Sequence, residues 1–141
     1  MKTLRATIRS ILEECKRDSY FGMAGSGVVV LCTEDSTIYL QKRSTRVSGG
    51  AGQWGFPGGG YHAIPTKQRH FRTPIPEEFR IDPDDPVLEK NAFKELQEEA
   101  GRNGLPDYYI IDELVSYEDC GFIYKTFIVD ITLEDKMNWD P

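Results

Sequence analysis

Three carboxylates carry the strongest chemical signal in this chain. Glu95, Glu98 and Glu99 fall within Lys94–Gly101, Lys-Glu-Leu-Gln-Glu-Glu-Ala-Gly. Their offsets of i, i+3 and i+4 put all three on one side of an α-helix. Like charges at that spacing repel, so the grouping works against the helix unless something offsets it. A hard divalent cation would do so, because Mg²⁺, Mn²⁺ and Ca²⁺ are bound by carboxylate oxygens. The plainer alternative is a solvated acidic face.

The second chemical stretch is Ser48–Gly60, in which seven of thirteen residues are glycine. Backbone amides and carbonyls can approach a ligand closely there. Trp54 and Phe56 alternate within it, predicting a short strand that Pro57 ends, with Gly58-Gly59-Gly60 as a loop beyond. The spacing fits neither a P-loop nor a dinucleotide fingerprint. Lys42, Arg43 and Arg46 just before it are either a phosphate clamp or a solvated strand end.

These stretches need elements to position them. Asp85-Pro86 reads as an N-cap followed by proline at the first helical position. Leu88, Ala92, Leu96 and Ala100 then form a buried stripe, with Gly101 as the stop. Glu95 and Glu99 border the stripe, which predicts partial desolvation that a metal would compensate. Upstream, Val28–Cys32 is a short apolar run and Thr37–Gln41 alternates, so the two read as a hairpin across Glu34-Asp35-Ser36. Downstream, Tyr108–Tyr117 and Phe122–Leu133 read as strands around a turn at 118–121. Leu4, Ile8, Ile11, Leu12 and Cys15 recur at helical spacing and predict a packing helix. Residues 62–84 are polar and proline-rich and hold both histidines, His62 and His70, with a basic cluster at Lys67, Arg69 and Arg72. That segment is either a substrate-gripping lid or a partly disordered loop.

Composition sets the outer bounds. A chain of 141 residues is long enough for one domain with a core. The net charge of −6 disfavours an extended nucleic-acid surface, but not a phosphate-bearing ligand beside a metal. The three cysteines, Cys15, Cys32 and Cys120, cannot all pair within the chain and include no Cys-x-x-Cys, so reduced thiols in a cytoplasmic protein are the simplest reading. No apolar run reaches membrane-spanning length.

Gly-Phe-Pro-Gly-Gly-Gly followed by Lys-Glu-Leu-Gln-Glu-Glu-Ala-Gly resembles the Nudix hydrolase family, whose box reads Gly-x5-Glu-x7-Arg-Glu-U-x-Glu-Glu-x-Gly-U, with U a bulky aliphatic. Glu95, Leu96, Glu98, Glu99 and Gly101 match in register, and the flanking strands extend the resemblance over most of residues 22–133. Several positions depart from it. Lys94 replaces arginine and Arg102 replaces the last aliphatic residue. Tyr61 to Phe93, 33 residues, separate Gly60 from Lys94, so the resemblance implies a loop inserted at about 61–84. The first box glutamate would fall on Pro86; Glu89, Asp85, Asp84, Glu77 and Glu78 are the nearby replacements.

The resemblance implies a single α/β domain over 1–141, a Nudix-type α/β/α sandwich with a mixed central sheet. It implies cleavage of the pyrophosphate bond in a nucleoside diphosphate linked to another moiety. Mg²⁺ or Mn²⁺ would be held by Glu95, Glu98, Glu99 and the Gly59 carbonyl, with the three glutamates also catalytic. Arg43, Arg46, Gly58, Gly59, Gly60 and Tyr61 would bind substrate. Trp54 and Phe56 are expected to pack rather than stack on a base. Glu113, Glu118 and Asp119 are candidates for a late general base. The partner would be a nucleotide-derived small molecule, a homodimer is allowed, and no membrane is implied. The competing function is a Nudix-like nucleotide-binding module that has lost catalysis with the first box glutamate.

Overall fold

A computed structural model describes residues 15, 17–42, 52–63 and 69–141. The predicted N-terminal helix over Leu4–Cys15, Arg43 and Arg46, and Lys67 in the predicted insert all lie outside the described residues, apart from Cys15 itself.

The centre is a five-stranded mixed sheet. The apolar run extends further than its sequence suggests, forming β2 (Ala24–Cys32) after a short β1 (Ser19–Phe21). β2 pairs antiparallel with β3 (Thr37–Ile38), so the hairpin forms, but its second strand is shorter than the predicted Thr37–Gln41 and Gln41 belongs to a different pair. The downstream hairpin is β8 (Tyr109–Asp119) with β9 (Phe122–Asp130), turning at Cys120-Gly121. β9 returns alongside β2 in parallel, from Gly25 opposite Tyr124 to Leu31 opposite Asp130. A parallel pair must be joined by a long crossover. Everything between β2 and β9, including the predicted site, belongs to that crossover.

Helix α1 (Pro86–Ala100) starts as its local signals require. The Asp85 side chain accepts from the Val87 amide, and Pro86 takes the first turn, where its missing amide proton costs nothing. Gly101 ends it with φ of −107°, so this stop is not left-handed. Leu88, Ala92, Leu96 and Ala100 are all buried. Ala92, Leu96 and Ala100 pack on Val28, Val30 and Cys32 of β2 and on Phe127, Val129 and Ile131. This period-2 face of β2 meeting a period-3.6 stripe forms the principal core.

Two readings of the glycine-rich stretch are corrected. β4 (Gln41–Lys42) and β5 (Trp54–Gly55) form a small antiparallel pair, so a strand is present, but Trp54 is 66% and Phe56 46% exposed rather than packed. Gly58-Gly59-Gly60 is not a loop. With Tyr61 it forms β6 (Gly58–Tyr61), antiparallel to Ala24–Gly27 of β2. The ladder supplies the order that glycine's side chain cannot.

Residues 62–85, between β6 and α1, contribute structure of their own. β7 (His70–Arg72) pairs with β1, and Phe71 and Ile75 are fully buried with Tyr20, Met23 and Phe122 in a second cluster. A 3₁₀ turn at Glu77–Phe79 precedes the helix, and α2 (Leu133–Asn138) follows β9.

Cys15 and Cys120 are joined by a disulfide with Cα atoms 5.6 Å apart, and Cys32 is a buried thiol. This corrects the reading of three reduced thiols and removes its support for a reducing compartment. The odd cysteine count left one thiol over without forbidding one bond. Alkylation of the unfolded chain is expected to modify one cysteine before reduction and all three after it, scored by mass. Among the described residues, no helix is long and apolar enough to cross a membrane.

Candidate active site

The site forms where the solvent side of α1 leans on β6. Ser26 and Asn91, both buried, fix that contact. The Ser26 hydroxyl donates to the Leu88 carbonyl (2.7 Å), and Asn91 Nδ2 donates to Ser26 Oγ (3.0 Å) and to the Gly59 carbonyl (3.1 Å). These bonds bolt β2, α1 and β6 together, and buried networks of this kind hold one arrangement when every member is satisfied. Neither residue stood out in the sequence, since a lone serine on a strand and a lone asparagine on a helix have no periodic signature.

The carboxylates lie along this contact. Glu95 rests directly over Gly59: a Cβ there would stand 2.7 Å from Glu95 Cδ, so a side chain at this position would displace the carboxylate. Glu99 Oε2 accepts from the Gly58 amide (3.1 Å) and from Gln41 Nε2 (2.9 Å), joining α1 to the starts of β6 and β4. Glu98 is exposed and stands 3.7 Å from Lys94, the i,i+4 pair expected of that turn. Among the described residues no three His, Cys, Asp or Glu side chains converge as a ready metal cage. Glu95 and Glu99 meet β6, while Glu98 turns to Lys94.

The electrostatics follow from that placement. Burial pushes the Glu95 carboxyl above the usual carboxylate range, and the charges of Glu99 and Glu98 push it the same way. A half-buried acid beside two like charges is a place that a divalent cation would relieve. The donor set is all oxygen, which suits Mg²⁺ or Mn²⁺.

Two cavities flank β6, and Gly60 lines both. The first, about 430 Å³, is walled by Tyr20, Phe21, Phe56, Phe122 and Tyr124 with Gly58–Gly60 as its floor. The second, about 370 Å³, holds Tyr61 and lies towards α1. Thus Glu95, Glu99, Gly58, Gly59, Gly60 and Tyr61 are gathered around one strand. Glu113 is not among them: it is held 3.4 Å from the buried Lys125, whose ammonium also donates to the Pro83 carbonyl (2.7 Å). The other two general-base candidates, Glu118 and Asp119, are the last residues of β8. Asp85 is engaged as the helix cap, so it is not a spare carboxylate.

No family model matches the chain, and no curated protein matches it. Among solved structures, it is similar to a Nudix hydrolase from M. smegmatis, RenU, with a TM-score of 0.50 at 21% identity. The match covers 80% of this chain and 64% of that one, so the chain spans less than two thirds of that protein. At that identity the likeness concerns the fold: this chain has an α/β architecture with a mixed sheet, similar to that of a Nudix hydrolase.

Proposed function

We propose that this chain is a divalent-metal-dependent hydrolase that cleaves the pyrophosphate bond of a nucleoside diphosphate linked to another moiety. The observation that carries the proposal is the Glu95 carboxylate lying over the Cα of Gly59, with the charges of Glu99 and Glu98 acting on it. Glu95, Glu98, Glu99 and the Gly59 carbonyl would hold the ion. When bound, Mg²⁺ or Mn²⁺ neutralises phosphate oxygens and lowers the pKa of a coordinated water.

The chain's own residues supply the rest. Asn91 and Ser26 fix β6 against α1, so the Gly59 carbonyl and Glu95 keep their relative position. Glu99 is oriented by two donors on one oxygen, leaving the other for the site. Glu98, on leaving Lys94, or Glu99 would take the proton of the attacking water. The aromatic cavity suits a nucleoside base, and exposed Phe56 at its rim takes the stacking role that its sequence position did not announce. Arg43 and Arg46 remain candidate phosphate ligands from the segment outside the described residues.

One observation favours the second reading, a binding module without turnover. Pro86 stands in the place of the first box glutamate, and Asp85 beside it is engaged as a cap. Nucleotide release from a panel of nucleoside diphosphate derivatives separates the two. With Mg²⁺ or Mn²⁺ the enzyme turns over and with EDTA it stops. Nucleotide binding with no turnover under any metal would establish the module instead.

A further inference from the structure

The second cavity has a character that the pyrophosphate chemistry does not require. It is lined by His62 and Arg69 from the segment between β6 and α1, and by Lys90, Asn91 and Lys94 from α1. Among the described residues no carboxylate lines it, in a chain whose net charge is −6. Lys94 already has Glu98 beside it at 3.7 Å, whereas Arg69 and Lys90 line the cavity with no acid lining it, and an external anion would suit them.

His62 makes the same point independently. Its ring is held edge-on by Phe21 at 4.6 Å between centroids, yet both its nitrogens are buried with no hydrogen-bond partner among the described residues. Buried polar atoms in native proteins are almost always partnered. An imidazole that lines a cavity with cations, its buried nitrogens unmet among the described residues, would gain a partner from an anion that the ring turns to meet. A phosphate oxygen accepts from a ring N–H, from an ammonium and, in bidentate fashion, from a guanidinium.

Resting on the hydrolase reading above, we infer that this cavity binds the terminal phosphate of the substrate. The moiety beyond the scissile bond therefore ends in a phosphate. Nucleoside triphosphates and longer phosphate chains are favoured over nucleotide sugars. The base occupies the aromatic cavity, and the chain of phosphates passes β6 at Gly60, which borders both.

Arg69 and Lys90 are exposed, so the double variant Arg69→Gln/Lys90→Gln tests the cavity without threatening the core. Inorganic phosphate, titrated without divalent metal, should shift the His62 ring signals in an NMR spectrum of wild type, with at least about tenfold weaker saturation in the variant. No shift in wild type, or equal binding by both, would overturn the inference. With metal, the kcat/KM preference for a nucleoside triphosphate over a nucleotide sugar should fall at least about tenfold in the variant, through KM. An equal change for both substrates, or none, would also overturn it. If no substrate is turned over, the hydrolase reading fails and the phosphate titration alone decides the cavity.

Discussion

Replacing Glu95 with glutamine is expected to lower metal-dependent turnover by at least about 10²-fold while making the metal-free protein more heat-stable. The two effects have one cause. In the folded chain the Glu95 carboxyl is pushed up by burial and by Glu99 and Glu98. The folded state therefore holds this proton more tightly than the unfolded state. The associated stability is present at acid pH and is lost as pH rises through the elevated pKa. At neutral pH the carboxylate is a liability that glutamine removes, raising Tm by up to about 3 °C in EDTA, since the group is only partly buried. The gain should shrink towards zero as the pH is lowered and wild type protonates. Added Mg²⁺ should raise the Tm of wild type and do much less for the variant. A variant that is less stable than wild type in EDTA at neutral pH would show that Glu95 is a structural partner and not a strained ligand.

The second large effect is expected at Gly60. A Cβ there would overlap the Phe21 carbonyl oxygen, and both the Phe21 carbonyl carbon and its ring lie close behind. The obstacle is backbone, which cannot rotate away, so Gly60→Ala should force β1 and β6 apart. Overpacking of this kind costs about 1–3 kcal/mol and sometimes more. At this chain length that corresponds to a Tm loss of about 4–12 °C. Gly59→Ala is the informative contrast. Its Cβ meets the far end of the Glu95 side chain, which can swing aside, so the fold should survive while turnover falls as in Glu95→Gln. Thermal unfolding and turnover measured on both variants separate a structural glycine from a functional one. Equal stability losses in the two would contradict the assignment.

What the sequence revealed and what it hid divide along a physical line. Helix α1 was legible because its signals are local: Asp85 and Pro86 at the start, the Leu88–Ala100 stripe and three glutamates on one side. Both hairpins were legible from alternation and turns. The strand at Gly58–Tyr61 was hidden because three glycines carry no side-chain pattern, and their order comes from pairing with β2 across the fold. Phe71 and Ile75 were hidden inside a polar, proline-rich segment whose composition masks two buried side chains. Trp54 and Phe56 misled because an aromatic in a strand is usually buried, whereas both are exposed here and Phe56 lines the first cavity. Asn91, Ser26 and Gln41 act through partners far away in sequence, and no spacing rule connects them. The Cys15–Cys120 bond was equally invisible, since cysteine pairing depends on which chain ends the sheet brings together.

The parallel pairing of β2 with β9 also sets an order of events in folding. Val28 lies opposite Phe127, so the strand at the heart of the sheet meets its main neighbour only after the long segment between them exists. Contacts between distant segments form slowly, because a long loop must close before they stabilise anything. Until then β2 can associate only with its nearer partners, β3 and β6, and its other edge stays open to wrong partners. α1 has nothing complete to dock on in that interval, since Phe127, Val129 and Ile131 belong to the cluster it packs into. The carboxylate site therefore assembles only once β9 is in place, and catalytic competence should lag behind the formation of helix α1.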